Sequence, residues 1–188
     1  MSEPGTHAGL VAHLRGFLDA FADAVPASAT RAELERDLEA WTERLRADRV
    51  EESGRDYGHR PDLPSAGQAT TPHYEVLAHA PPDQLAGTTQ FSSFFLGGRG
   101  VAHGGTIPLL FDELFGRLAN APGMPAARTA YLTTQYLSVV RVGVPLTFAA
   151  RTDRVEGRKR FLRAELRDGE VLCAEGEALF VTLRDGQP

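Results

Sequence analysis

One stretch constrains this chain more than any other: GVAHGGTIPLLFDELFG, residues 100–116. It encodes a helix from about Gly104 to Leu118 carrying Ile107, Leu110, Phe111, Leu114, Phe115 and Leu118. Apolar side chains cover so much of its circumference that it must be nearly buried. Pro108 lacks the N–H that a helix interior needs, so it belongs in a first turn and places the helix start near Gly105. Strands surround this helix in sequence. A short one is expected at His73 to Ala78 and a better one at Thr88 to Leu96. Four more follow the helix: Thr129 to Val140, Leu146 to Val155, Arg160 to Arg167 and Val171 to Leu183. The separators GVP, EGRK and RDG are short, which makes these strands antiparallel neighbours. The expected class is therefore α+β: an antiparallel sheet wrapped around one central helix.

The chain changes character near residue 72. Before it, Leu10, Val11, Leu14, Phe17, Leu18, Phe21 and Val25 fall on one helical stripe that Pro26 ends. A second helix is expected after Thr30, whose side chain would cap the first turn while Glu33 reaches back. Its apolar stripe is Leu34, Leu38, Trp41 and Leu45. Residues 51–72 are polar and rich in Gly and Pro, the composition of a loop or linker. The expected division is an N-terminal helical extension and linker at 1–72 and the sheet domain at 73–188.

Bulk properties exclude several classes of function. The 188 residues carry 20 basic against 25 acidic side chains, a net charge of −5, which argues against a general nucleic-acid binder. Cys173 is the one cysteine, so no internal disulfide framework exists. No apolar run approaches the roughly 20 residues of a membrane span. The opening MSEPGTHAG lacks the basic start and apolar core of a secretory signal. A cytoplasmic protein is expected. His59, His73 and His79 have no spacing that suits a metal, so neither metal nor cofactor is expected.

The layout and the motif GVAHGGTIPLLFDELFG resemble the hotdog-fold acyl-CoA thioesterases, in particular the phenylacetate-pathway branch. The likeness covers roughly residues 73 to 183. It rests on G-x-x-HGG opening the central helix, an acid nine positions after the histidine, and the strand TAYLTTQYL. The resemblance implies a homodimer or a dimer of dimers, with sites at the subunit interface and acyl-CoA as substrate. Many members carry an asparagine six residues before the motif histidine; here that position is Gly97.

Thioester hydrolysis needs an activated water or a carboxylate nucleophile, together with stabilisation of the oxyanion. A helix N-terminus offers unpaired N–H groups, and Gly104, aided by Gly105, lets a carbonyl approach them closely. One such donor is worth about 3 to 4 kcal/mol in comparable sites. Asp112, expected to be desolvated within the buried helix, is the candidate base or nucleophile, with Glu113 as the competing carboxylate. At about 1.5 Å per residue, Asp112 lies about 13 Å along the axis from His103. One subunit therefore cannot supply both halves of a site. The resemblance gives His103 a supporting role, with a plain structural histidine as the alternative. Thr129 either hydrogen-bonds the water or carboxylate or is a simple strand residue. From Arg151 to Arg167 there are seven Lys or Arg against three acids. Arg158, Lys159 and Arg160 thus suit the phosphates of coenzyme A, unless they are only a solvated turn. Two other readings remain: a non-catalytic acyl-CoA binder, and a hotdog enoyl-CoA hydratase. The second is disfavoured because the acid nearest His103 on the helix comes nine residues later.

Overall fold

The computed structural model describes residues 5–77, 83–184 and 186–187. The chain forms two compact units, Met1–Ala69 and Thr70–Pro188.

In the first unit, α1 spans His7–Ala22 and α2 spans Ser28–Ala47. Thr6 caps α1 by accepting from the Gly9 amide at 3.1 Å. Arg15 on α1 donates to the carbonyls of Gln68 and Ala69, and the His7 ring bonds the Gly67 carbonyl, so α1 is tied to the loop segment. The expected start of α2 is corrected. Its N-cap is Ala27, extended at φ −61 and ψ 158, and no side chain caps it. The chain leaves Pro26 extended and turns helical at once, which puts Thr30 inside the first turn. No α2 residue is buried.

In the second unit the strands are β1 (Tyr74–Val76), β2 (Gln84–Gln90), β3 (Leu96–Gly98) and β4 (Val101–Ala102). Helix α3 (Thr106–Ala119) comes next. Then follow β5 (Ala127–Tyr136), β6 (Pro145–Glu156), β7 (Lys159–Asp168) and β8 (Val171–Thr182). Six strands form one antiparallel sheet in the order β1-β2-β6-β7-β8-β5. The α+β arrangement of a sheet wrapped around α3 is present. Even-numbered residues of β6 and β7, among them Leu146, Phe148, Ala150, Leu162, Ala164 and Leu166, point to α3 and form the core with Phe111 and Phe115. The approach is close at Gly176 of β8, where an added Cβ would lie 2.5 Å from the Phe111 ring.

Three expectations need correction. β2 ends at Gln90, not Leu96: Phe91 is fully buried, then residues 93–95 make a 3-10 turn into the β3–β4 hairpin. The first strand is only Tyr74–Val76, and Ala78 and His79 lie outside the described residues. Helix α3 is not buried all round. The sheet covers one side only, so Leu109 (43% exposed) and Asp112 lie on an open seam.

Candidate active site

Strand β3 and the histidine turn are held together by backbone. The His103 amide donates to the Phe95 carbonyl at 2.7 Å, and the Ala102 amide to Val140 at 2.8 Å. A Cβ at Gly97 would lie 2.8 Å from His103 Cα, so the strand carries no side chain where many resembling proteins have asparagine. The turn then presents His103, Gly104 and Gly105, all exposed, at the start of α3. Gly105 is the N-cap, and its amide donates to His103 Nδ1 at 3.0 Å. With Nδ1 accepting, a neutral ring carries its proton on Nε2. In the single chain the Gly105 N–H thus serves the histidine, while the bare Cα of both glycines keeps the turn open to a close approach. Among the described residues no acceptor takes the Gly104 amide.

Nearly two and a half turns along α3, Asp112 sits on the open seam, and its Oδ1 accepts from the Thr129 hydroxyl at 2.9 Å. The expectation that burial desolvates this carboxylate does not hold in the single chain, where Asp112 is exposed. Thr129 lies in the exposed part of β5, one of the two edge strands of the sheet. At the other end of β5, the Tyr136 hydroxyl donates to the Gly104 carbonyl at 2.8 Å. One strand thus fixes both the carboxylate and the glycine turn. Tyr136 was not singled out from the sequence, although the aromatic near the end of TAYLTTQYL was the available signal.

Glu113 points elsewhere. It is half-buried and accepts from the hydroxyl of the buried Tyr74 at 3.1 Å, with Arg117 3.5 Å from that hydroxyl. Burial pushes the Glu113 carboxyl above the usual glutamate range, outweighing the Tyr74 hydrogen bond and the Arg117 charge that pull it down. Across that interval the folded chain binds the extra proton, so stability falls as pH rises from the ordinary glutamate pKa through the raised one. Glu113 thus contributes a downward slope to thermal midpoints from about pH 4 upward, and Glu113→Gln is expected to remove that contribution, so the variant's midpoints fall less or rise more with pH than the parent's. An unchanged slope in the variant would refute this.

The basic hairpin is less uniform than its sequence. Arg158 is exposed and donates to the Thr182 carbonyl at 2.9 Å, and Lys159 is exposed. Arg160 is corrected: it is 4% exposed and donates to the Ala119 carbonyl at the C-terminus of α3. There its charge opposes the negative end of the helix dipole instead of facing solvent. Cys173 lies in the core. Among the described residues no group of three or more His, Cys, Asp or Glu could hold a metal. No helix among them is long and apolar enough to cross a membrane.

The family model described as Thioesterase superfamily matches residues 99–175, from the β3–β4 turn into β8. The acyl-coenzyme A thioesterase THEM4 of Xenopus laevis is 32% identical over 87 residues, which is 45% of this chain. The matched segment spans only 38% of that relative's length. Among solved structures, one described as a thioesterase superfamily protein has a TM-score of 0.77 at 22% identity, over 95% of this chain and 92% of its own. The PaaI protein of the E. coli phenylacetic acid degradation operon has 0.53 at 19%, over 59% and 80%. Protein smu.793 of Streptococcus mutans, whose structure holds acetyl CoA, has 0.54 at 19%, over 59% and 89%. At these identities the likeness shows the fold, which is the hotdog.

Proposed function

Starting from a hotdog domain whose residues 99–175 match the thioesterase superfamily, we propose that this chain hydrolyses acyl-CoA thioesters to the free acid and CoA. The observation that carries the reading is the Thr129–Asp112 hydrogen bond on an open seam, with Oδ1 engaged and Oδ2 left to face a reactant. As general base, Asp112 takes a proton from water, whose oxygen attacks the thioester carbon. The oxyanion is held by the Gly104 amide at the helix N-terminus. The C–S bond then breaks, and the CoA thiolate leaves and takes up the proton. As nucleophile, the carboxylate would attack the same carbon, and water would release the resulting anhydride.

Gly104 and Asp112 are separated by about 12 Å of helix, so the reading requires a dimer that supplies one from each subunit. The exposed edge of β5 supports it. A ten-residue edge strand whose outer side has no strand partner among the described residues is a template for pairing with another chain. Two copies of β5 paired about a two-fold axis run antiparallel. The Thr129 end of one then meets the Tyr136 end of the other, bringing Asp112 towards the partner's glycine turn. The same contact would cover the Leu109–Asp112 seam. Arg158 and Lys159 are the proposed contacts to the CoA phosphates.

The deciding experiment is turnover of a panel of acyl-CoA thioesters, followed by release of free thiol. Hydrolysis of at least one acyl-CoA supports the reading, and binding without turnover overturns it. The second outcome would favour a non-catalytic acyl-CoA binder, a reading that the missing side chain at Gly97 keeps open. Neutralising Arg158 and Lys159 together is expected to raise KM for CoA thioesters severalfold with kcat little changed, because phosphate contacts act equally in ground and transition states. The effect should vanish for short thioesters without the nucleotide. An unchanged KM at low salt, where such contacts are least screened, rules the role out.

A further inference from the structure

Helix α2 has twenty residues and buries none of them. Most of its apolar stripe is left open: Leu34 is half-buried, but Leu38 is 49% exposed, Trp41 55% and Leu45 64%. Most helical stability in proteins comes from packing such a face against something. We propose that a second copy of this chain covers it, with α2 pairing antiparallel to the α2 of the partner subunit about a two-fold axis.

The stripe is complementary to itself. Arg31, Leu34, Leu38, Trp41, Leu45 and Asp48 follow at spacings of 3, 4, 3, 4 and 3, the seam of an antiparallel coiled coil. That series reads the same in both directions. Turned about an axis between residues 39 and 40, it sets Leu38 against the partner's Trp41 and Leu34 against the partner's Leu45. At each end Arg31 meets the partner's Asp48, so the positions where the apolar run stops are opposite in charge. The positions flanking the seam agree: Asp37 falls beside the partner's Arg44, and Glu35 beside the partner's Thr42. No like charges are brought together. Arg44 already lies over the Trp41 ring, 4.2 Å from its centroid, at the rim of this seam. A lipid surface fits less well. From Arg31 to Arg46, α2 carries Arg31, Arg36, Arg44 and Arg46 against Glu33, Glu35, Asp37, Glu39 and Glu43, a slightly acidic polar face.

Two probes read the pairing in the full chain. Trp41 is the one tryptophan, so its emission reports burial of this face directly. Cys173, the one cysteine, is 1% exposed, which leaves an Ala29→Cys variant free to carry a single spin label on the outer face of α2. Antiparallel pairing sets residue 29 opposite residue 50, so the two labels should be about 30 Å apart along the axis. Expected are a blue-shifted indole emission and a distance peak in that range, both lost in Leu38→Glu. Asp37→Arg and Arg44→Asp should each reduce the paired share, by on the order of three- to tenfold, and the double variant should restore it. These two residues are exposed, so the charge variants test the pairing even if Leu38→Glu disturbs the unit. The proposal is overturned by emission typical of water-exposed indole at all concentrations, or by a short distance expected of parallel helices. It is equally overturned if the double charge reversal fails to restore pairing, or if emission shifts only when anionic vesicles are added.

Discussion

Asp112→Asn is expected to lower acyl-CoA turnover by about 10²- to 10⁴-fold, the usual cost of losing a general base. The substitution is nearly isosteric. Asparagine keeps an Oδ1 that can accept from Thr129 Oγ1, so the β5–α3 contact survives. The site is exposed in the single chain, so no buried charge is removed and the fold should be unaffected. What disappears is the ability of Oδ2 to take a proton or attack a carbonyl. Release of free thiol under saturating substrate measures the loss, and circular dichroism checks the fold. The effect should appear in kcat, since a base acts in the transition state and contributes little to ground-state binding. Turnover near that of the parent would remove Asp112 from the mechanism. Glu113 would be a poor replacement without rearrangement, because its carboxylate is half-buried and occupied by Tyr74.

The fold was readable because two strong periodicities lie side by side. The 3.6-residue pattern of α3 and the alternation in β6, β7 and β8 each identify their element without tertiary context. Readability failed where a local signal pointed to the wrong element. The apolar residues Phe91, Phe94, Phe95 and Leu96 read as more of β2, yet the chain turns out of the sheet there into the β3–β4 hairpin. Charge alone groups Arg160 with Arg158 and Lys159. Period-two alternation puts it with Leu162, Ala164 and Leu166 on the inward face, where it caps α3. Charge density described the hairpin; alternation would have sorted it. The exposure of Asp112 was not legible at all. An amphipathic pattern gives the width of the apolar face, but not how much of a helix a six-stranded sheet covers. Similarly, the motif placed two glycines at the helix start, but only the geometry shows Gly105 bonded to His103 and Gly104 bonded to Tyr136.

Mixing two inactive variants should restore activity if the site spans two subunits. Gly104→Val blocks the oxyanion end contributed by its own chain. The backbone there is not left-handed, and an added Cβ meets nothing nearer than the Tyr136 hydroxyl at 3.8 Å. The variant should therefore fold, with the valine methyls over the amide. Asp112→Asn removes the base of its own chain. Each pure dimer then has two defective sites, each lacking one essential group. In a mixed dimer the defects segregate differently. One site combines the valine turn with the asparagine, while the other combines an intact turn with an intact carboxylate. After unfolding and refolding together in equal amounts, random pairing makes about half the dimers mixed, with one good site of two. Activity should recover to roughly a quarter of the parent value, against almost none for either variant alone. Chromatography and circular dichroism establish that both variants refold and assemble, and a tag on one of them permits isolation of the mixed species. In that isolated species the expected recovery is about half. A site built within one chain gives a different result, because every chain then carries a complete set with one defect, and mixing restores nothing. Mixed dimers as inactive as their parents would show that Asp112 and the glycine turn do not meet across the interface, and would remove the two-subunit mechanism.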